Sequence, residues 1–228
     1  AFLNVLKDEG VEFFFGNPGT TELPIMDGLV DRPELRYVLG LQEAVVMAMA
    51  DGYSRASGKL CCVNFHVAPG LGNAIGAIYN AHFFGSPVIV TAGQQERSLS
   101  ITEPMLYNEL VPMAQPVVKW ATEVQRPEDI PRVFRRAAKV ALSPPTGPVF
   151  VSLPGDVLKG SGKMALGARS RVDSRSTIPT FTGSRLPSRR TTRASITWRK
   201  ASSRRYTRKS PRARISSLAS AGRIVPRR

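Results

Sequence analysis

Residues 60–92 read LCCVNFHVAPGLGNAIGAIYNAHFFGSPVIVTA, and this stretch decides the fold. The last six letters, PVIVTA, form an apolar run without interruption, which is typical of a strand that is buried on both faces. The pattern predicts, in order, a strand over Leu60–His66, a turn over Val67–Gly72, a helix of small residues over Asn73–Phe84 and a strand over Pro87–Ala92. Two apolar strands joined by a helix indicate a parallel pair.

The same alternation of helix and strand runs through the first 160 residues. Four further strands are predicted, over Val11–Phe15, Arg36–Leu41, Val117–Thr122 and Pro148–Leu153. Four further helices are predicted, over residues 1–9, from Thr20 or Thr21 towards Val30, over Glu43–Ala56 and over Pro127–Leu142. Six strands with interposed helices predict an α/β domain, with a six-stranded parallel sheet and helices on both faces.

The basic charge of the chain belongs to its last part. The whole chain has 32 Lys+Arg against 17 Asp+Glu and a net charge of +15, typical of a protein that binds nucleic acid or anionic membranes. Residues 1–160, however, sum to −3, whereas residues 161–228 sum to +18 with Asp173 as their one acid. Only 10 of these 68 residues are Leu, Ile, Val or Phe, which is too few to bury a core. We therefore expect a disordered basic tail over 161–228.

Two explanations of this tail remain open. It is either a functional arm that neutralises nucleic-acid phosphates or the out-of-frame translation of a GC-rich gene. An Arg-, Ser- and Pro-rich composition with almost no acids favours the second explanation, so nucleic acid is not the expected partner.

Several classes of protein are disfavoured by the sequence. No run approaches the roughly 18 apolar residues that span a bilayer. The first residues, AFLNVLKDEG, lack the features of a signal peptide and resemble a helix entered part-way, so we expect the domain to be truncated there. Cys61 and Cys62 are neighbours on a strand and point to opposite faces, which predicts two buried free thiols in a reducing cytoplasm and no metal site.

Three polar features fall at the carboxyl ends of predicted strands, where open parallel sheets bind ligands. They are Gly16–Glu22, Glu43 and His66–Asn73. Each has a structural explanation when taken alone. The first is a tight turn without the Lys of a phosphate loop, the second is an acid at a helix N-terminus, and the third is a polar strand end.

Taken together, four motifs resemble a known family. FGNPGTTELP (15–24), LQEAVVMAMADGYSRASGK (41–59), NFHVAPGLGN (64–73) and PVIVTAGQQ (87–95) resemble the N-terminal pyrimidine-binding domain of thiamine diphosphate-dependent enzymes. The resemblance covers residues 1–158 and is greatest to the benzoylformate decarboxylase-like branch, with acetolactate synthase as a nearby relative. It implies thiamine diphosphate and Mg²⁺ as cofactors, a small 2-oxo acid as substrate, and a homodimer or homotetramer as the complete enzyme.

The resemblance also implies roles for single residues. Glu43 matches the glutamate that bonds a ring nitrogen of the aminopyrimidine, and a carboxyl in an apolar pocket can share a proton with that nitrogen. Pro18 and Gly19 match the loop that lies against the pyrimidine, and Asn73 is a further cofactor-binding candidate. Thr20 stands where decarboxylases of this branch have a Ser that contacts the substrate carboxylate.

His66 is the residue that discriminates between the two branches. In benzoylformate decarboxylase-like enzymes a His in this motif takes part in proton transfer, whereas acetolactate synthases usually lack it. His66 therefore favours decarboxylase or lyase chemistry over the acetolactate synthase-like alternative.

Family members also have a GDG…N motif that holds the metal and the diphosphate, and nothing after residue 160 resembles it. The resemblance therefore implies the pyrimidine-domain remnant of an enzyme, inactive alone. The alternative from another class is a non-catalytic dimerising module with a nucleic-acid-binding tail. Glu43, His66 and the GNPG turn together favour descent from an enzyme, because a scaffold needs none of them.

Overall fold

A computed structural model describes residues 1–171, which contain one six-stranded sheet with the strand order β2-β1-β3-β4-β6-β5. All five strand pairs are parallel, so the predicted architecture is confirmed. The strands are β1 (Phe13–Asn17), β2 (Arg36–Leu39), β3 (Cys61–Phe65), β4 (Val88–Gln94), β5 (Ala121–Glu123) and β6 (Val149–Pro154).

Seven α-helices cover the two faces of this sheet within the described residues. They are α1 (Phe2–Asp8), α2 (Leu23–Val30), α3 (Glu43–Ser57), α4 (Val67–Phe84), α5 (Leu110–Ala114), α6 (Ile130–Leu142) and α7 (Gly155–Lys159). Helices α1, α2, α6 and α7 bury their apolar residues in one cluster, and α3, α4 and α5 bury theirs in another. The sheet therefore separates two hydrophobic cores, as in doubly wound α/β proteins.

The central strands supply alternate residues to the two cores. On β3, Cys61, Val63 and Phe65 face the α3–α4 side, whereas Cys62 faces the α1–α6 side. Both cysteines are fully buried and unpaired, which confirms the two free thiols expected from their adjacency.

The start of α4 differs from the sequence prediction. The turn predicted over Val67–Gly72 is wrong, because the helix begins at Val67 directly after β3. Pro69 is tolerated there, since the backbone N–H groups of a first helical turn have no partner within the helix. Gly70 is tolerated because it packs against Phe65 and Glu43, where a Cβ would lie 3.4 Å from each of two side-chain atoms.

β1 also continues past its predicted end. The glycine expected to break it, Gly16, lies inside the strand and pairs with Leu39 and Asn64. A Cβ on Gly16 would lie 2.0 Å from the Tyr37 hydroxyl, so glycine here makes room for a side chain of the neighbouring strand. Asn17 thereby becomes the last residue of β1.

Residues 161–171, the first part of the predicted tail, form no helix or strand but contact the domain. Arg135 of α6 donates to the Leu166 carbonyl at 3.2 Å and to Glu9 Oε1 at 2.7 Å, and the Ser170 N–H donates to the same Glu9 oxygen at 2.9 Å. Leu166 packs against the α1–α6 core. Composition missed these contacts because they depend on partners far away in the chain. The remainder of the predicted tail lies outside the described residues.

None of the helices in residues 1–171 is both long enough and apolar enough to cross a membrane.

Candidate functional site

Three neighbouring parts of the sheet deliver polar side chains to one edge. β1 ends at Asn17, which pairs with Phe65 at the end of β3, and β2 on the other side of β1 leads into α3. Parallel strands carry their carboxyl ends to the same edge, so the loops after β1, β2 and β3 meet there. The structure brings together the predicted residues Gly19, Glu43, His66 and Asn73, and with them Asn17 and Glu22.

Glu43 is the first residue of α3 and is held by two asparagine amides. Asn17 Nδ2 donates to Glu43 Oε1 at 2.9 Å, and Asn73 Nδ2 donates to Oε2 at 3.0 Å. The helix begins here because the Gln42 side chain caps it by accepting the Val45 N–H. A carboxylate at this position is stabilised by the helix dipole and by both amides. Its surroundings are thus more polar than the apolar pocket that the resemblance implied.

The Glu43 carboxylate keeps acceptor capacity for a ligand. It is 8% exposed, and no Lys, Arg or His of the described residues forms an ion pair with it. Each carboxylate oxygen has two lone-pair positions, and one amide donor occupies one position on each. A planar nitrogen base that shares a proton with the carboxyl group fits this position, so the residues present suit the aminopyrimidine of thiamine diphosphate.

His66 lies at the N-cap position of α4 and is bound to a second buried carboxylate. Its Nδ1 is 2.8 Å from Glu22 Oε2, and the same oxygen accepts the Gly19 N–H at 2.8 Å. The His66 side chain is 27% exposed, whereas Glu22 is completely buried. The loop after β1 and the end of β3 are therefore tied together through Glu22.

Two glycines allow the backbone to approach the His66 and Glu22 side chains closely. A Cβ on Gly19 would lie 2.2 Å from His66 Nδ1, and a Cβ on Gly93 of β4 would lie 1.9 Å from Glu22 Oε1. Val67, directly after His66, has a φ of +43°, which is unusual for a β-branched residue. Strained backbone of this kind persists where the surrounding contacts fix it, often at functional sites.

The other two predicted residues take less defined positions. Pro18 is half-buried between Asn17 and Gly19, and Thr20 is exposed at the start of a short 3₁₀ helix, Thr20–Glu22. The threonines do not cap this turn, because Gly19 occupies the N-cap position and Glu22 reaches back to its N–H. The roles of Pro18 and Thr20 stay predictions.

Asn17 and Glu22 lie in the polar stretch Gly16–Glu22 singled out from the sequence, but sequence reasoning assigned a role to neither. The spacing of Gly19 and Glu22 was an available signal, because an acid at the third helical position can bond the N-cap N–H. Nothing in the local sequence indicated that Asn17 would contact Glu43, which is 26 positions away.

Two cavities, of about 460 and 250 Å³, lie elsewhere in the described structure, and neither is lined by Glu43 or His66. Within residues 1–171, no three His, Cys, Asp or Glu side chains are grouped so that they could hold a metal ion.

Comparison with known proteins shows which family the first part of the chain is similar to. Residues 1–111 match the family model described as thiamine pyrophosphate enzyme, N-terminal TPP binding domain. These residues belong to that domain family. The motifs that carried the resemblance in the sequence, including the GNPG turn, Glu43 and His66, fall within the matched range.

Two curated relatives extend the match beyond residue 111. The chain is 44% identical over 158 residues to benzoylformate decarboxylase of Pseudomonas aeruginosa, covering 68% of this chain and 29% of that protein. It is 34% identical over 178 residues to the acetolactate synthase large subunit of Haemophilus influenzae, covering 78% of this chain and 31% of that protein. The chain thus spans about a third of the length of either relative.

Solved structures of thiamine pyrophosphate enzymes share the fold. Benzoylformate decarboxylase of Polynucleobacter necessarius matches with a TM-score of 0.68 and 42% identity, over 75% of this chain and 32% of that one. The 4-hydroxybenzoylformate decarboxylase of Rhodococcus jostii RHA1 matches with a TM-score of 0.64 and 42% identity, over 71% of this chain and 33% of that one.

Proposed function

We propose that residues 1–158 are the aminopyrimidine-binding part of a thiamine diphosphate-dependent 2-oxo acid decarboxylase. The observation that carries this proposal is the Glu43 carboxylate, buried at the N-terminus of α3 between Asn17 and Asn73 and, among residues 1–171, without a cationic partner. A buried charge without a counterion is costly unless hydrogen bonds or a ligand compensate it. A protonated ring nitrogen of the cofactor would supply that compensation.

The residues of this chain hold the cofactor by its pyrimidine side. Glu43 would share one proton with the ring nitrogen, while Asn17 and Asn73 fix the orientation of its carboxyl group. Pro18 and Gly19 form the loop against the ring, where a small residue allows close approach of the backbone. When bound, thiamine diphosphate supplies a cationic ring that takes up the electrons released with carbon dioxide.

His66 supports decarboxylation of a 2-oxo acid over the acetolactate synthase-like alternative. Its imidazole is partly exposed at the same edge of the sheet as Glu43, in position to transfer a proton to or from a bound molecule. The relatives named benzoylformate decarboxylase are 42–44% identical to this chain, against 34% for the Haemophilus acetolactate synthase. An aromatic 2-oxo acid is the substrate class that these relatives suggest, with Thr20 as a candidate contact for its carboxylate.

The chain by itself is proposed not to complete a turnover. In this proposal the diphosphate and its Mg²⁺ are bound by a part of the enzyme that corresponds to the remaining two thirds of the relatives. Oxygen ligands for such a metal must come from that part. A cytoplasmic homodimer or homotetramer is the proposed state of the complete enzyme.

A domain exchange tests the proposed function. Residues 1–158 would replace the matching residues of the Pseudomonas aeruginosa benzoylformate decarboxylase, and decarboxylation of benzoylformate would be measured. We expect the chimera to be active and expect Glu43→Gln to lower its kcat by about 100-fold or more, because an amide cannot exchange a proton with the ring nitrogen.

The matched control is Glu34→Gln, which changes an exposed carboxylate that pairs with Lys7 on the surface. It should leave kcat within about twofold of the unchanged chimera. A folded chimera that binds the cofactor but retains full activity with Glu43→Gln would contradict the proposal.

A further inference from the structure

The buried carboxylate of Glu22 has no part in the function proposed above, yet it contacts two residues of the site. One of its oxygens, Oε2, accepts the Gly19 N–H at 2.8 Å and lies 2.8 Å from His66 Nδ1. Among the residues that the structure describes, His66 is the one potentially cationic side chain within ion-pair distance of Glu22. Glu22 Oε2 is therefore held by hydrogen-bonding contacts with Gly19 and His66, and by no Lys or Arg of the described residues.

The geometry decides where the imidazole proton resides. A carboxylate oxygen and a ring nitrogen 2.8 Å apart share one proton. Because Oε2 already accepts the Gly19 N–H and has a second lone pair, it can also accept from Nδ1. The proton then belongs to His66 Nδ1, and Nε2 keeps its lone pair.

We infer that Glu22 is the positioning residue of His66: it holds the imidazole as the Nδ1–H tautomer, so that Nε2 is the atom that exchanges protons with a bound molecule. The catalytic use of Nε2 rests on the proposed function, whereas the tautomer does not. A carboxylate that orients an imidazole in this way also stabilises the imidazolium formed when Nε2 takes up a proton.

Steric constraints support this role, because they leave the pair little freedom. Gly19 lies against the imidazole and Gly93 against Glu22 Oε1, so a Cβ at either position would overlap the pair. Val67 fixes the chain on the other side of His66 through its left-handed backbone, with φ +43°. The ring is thus held by Glu22, by the loop after β1 and by the start of α4.

The surroundings of Glu22 also favour His66 as its proton donor. The Tyr37 hydroxyl and Glu22 Oε1 are both buried, and neither has a hydrogen-bonding partner among the described residues. Burial raises the pKa of the Tyr37 phenol, and the nearby Glu22 carboxylate raises it further, so Tyr37 keeps its proton. Since the Tyr37 hydroxyl forms no hydrogen bond with Glu22, His66 is the side chain that shares a proton with it.

Nitrogen-15 NMR of the full chain tests the inference directly. The chain has only two histidines, His66 and His82, so histidine-selective labelling gives two imidazole spin systems, which a His82→Gln variant assigns. At about pH 8.5, above the ordinary imidazole range, we expect His66 to show a protonated Nδ1 and an unprotonated Nε2. The exposed His82 serves as the internal reference.

Glu22→Ala should release the tautomer, because it removes the oxygen that accepts from Nδ1 and lets the imidazole proton move to Nε2. Glu22→Gln should retain it, because the amide oxygen can take the place of Oε2 and accept from both Gly19 and Nδ1. Glu34→Gln, the surface control, should leave the His66 spectrum unchanged. A purely structural role of Glu22 would not predict a change of tautomer.

Two results would overturn the inference: a wild-type His66 protonated at Nε2, or a folded Glu22→Ala chain in which the Nδ1–H tautomer is as fully populated as in the wild type. If Glu22→Ala fails to fold, the wild-type spectrum decides alone. In the active chimera, Glu22→Ala should lower kcat by about 10-fold or more with cofactor affinity retained. A chimera without activity would contradict the proposed function but leave the tautomer assignment standing.

Discussion

Gly19 lies so close to His66 that a Cβ built on its backbone would be 2.2 Å from the imidazole Nδ1. The Gly19 N–H and the imidazole meet at the same oxygen of Glu22. Glu22 therefore links the loop after β1 to the end of β3. A side chain at position 19 would have to displace the histidine.

We expect Gly19→Ala to lower the free energy of unfolding by about 1–3 kcal/mol, because the added methyl overlaps a ring that Glu22 and Val67 hold in place. The control is Gly76→Ala in the interior of α4, where a Cβ would meet no atom within 4 Å. That change should instead stabilise the chain by roughly 0.5–1 kcal/mol, since alanine favours the helix. Urea unfolding followed by circular dichroism measures both.

The ion pair between Arg135 and Glu9 predicts a second stability effect. The Glu9 side chain is 1% exposed, so Arg135→Met would leave a buried carboxylate without its cation. We expect a loss of about 3–5 kcal/mol, most of which the double variant Glu9→Gln/Arg135→Met should recover. Equal losses in the single and the double variant would contradict this account of the Arg135–Glu9 ion pair.

The two thiols predict how stability depends on pH. Burial raises the pKa of both Cys61 and Cys62 in the folded chain. In the unfolded chain, thiols ionise near their ordinary value of about 8.5, so above that pH the unfolded state loses protons that the native state retains. The free energy of unfolding should therefore fall as pH rises from about 8 to 9.5.

A Cys61→Ala/Cys62→Ala chain tests whether the two thiols cause this pH dependence. Its free energy of unfolding should fall less steeply with pH over the same range, even if it is lower at every pH. The native thiols should also resist a thiol reagent at neutral pH and react fully in urea. Rapid reaction of the folded chain would show that the thiols are accessible.

The strands were predictable because each is an apolar run bounded by turn residues, as in PVIVTA. The start of α4 was not, because Pro69, Gly70 and Gly72 favour a turn locally. Packing of Gly70 against Phe65 and Glu43 outweighs that preference, and it depends on contacts between distant parts of the chain.

The candidate site, like the fold, was predictable only in part. Glu43, His66 and Asn73 were found because strand ends and family motifs mark them. The bond between Glu22 and His66 joins residues 44 positions apart, and the spacing of Gly19 and Glu22 indicates only a helix cap. Long-range partners of this kind become visible only when the sheet brings β1, β3 and β4 together.

The central claim is that Glu43, oriented by Asn17 and Asn73, binds the pyrimidine of the cofactor and that the diphosphate is bound elsewhere. Nitrogen-15 NMR titration of the full chain, with thiamine and with thiamine diphosphate plus Mg²⁺, tests both parts. We predict the same millimolar affinity for both ligands, with shifts at the Asn17 and Asn73 side-chain amides that Glu43→Gln removes. Micromolar, Mg²⁺-dependent binding of thiamine diphosphate, or unchanged amides at saturating thiamine, would contradict the account.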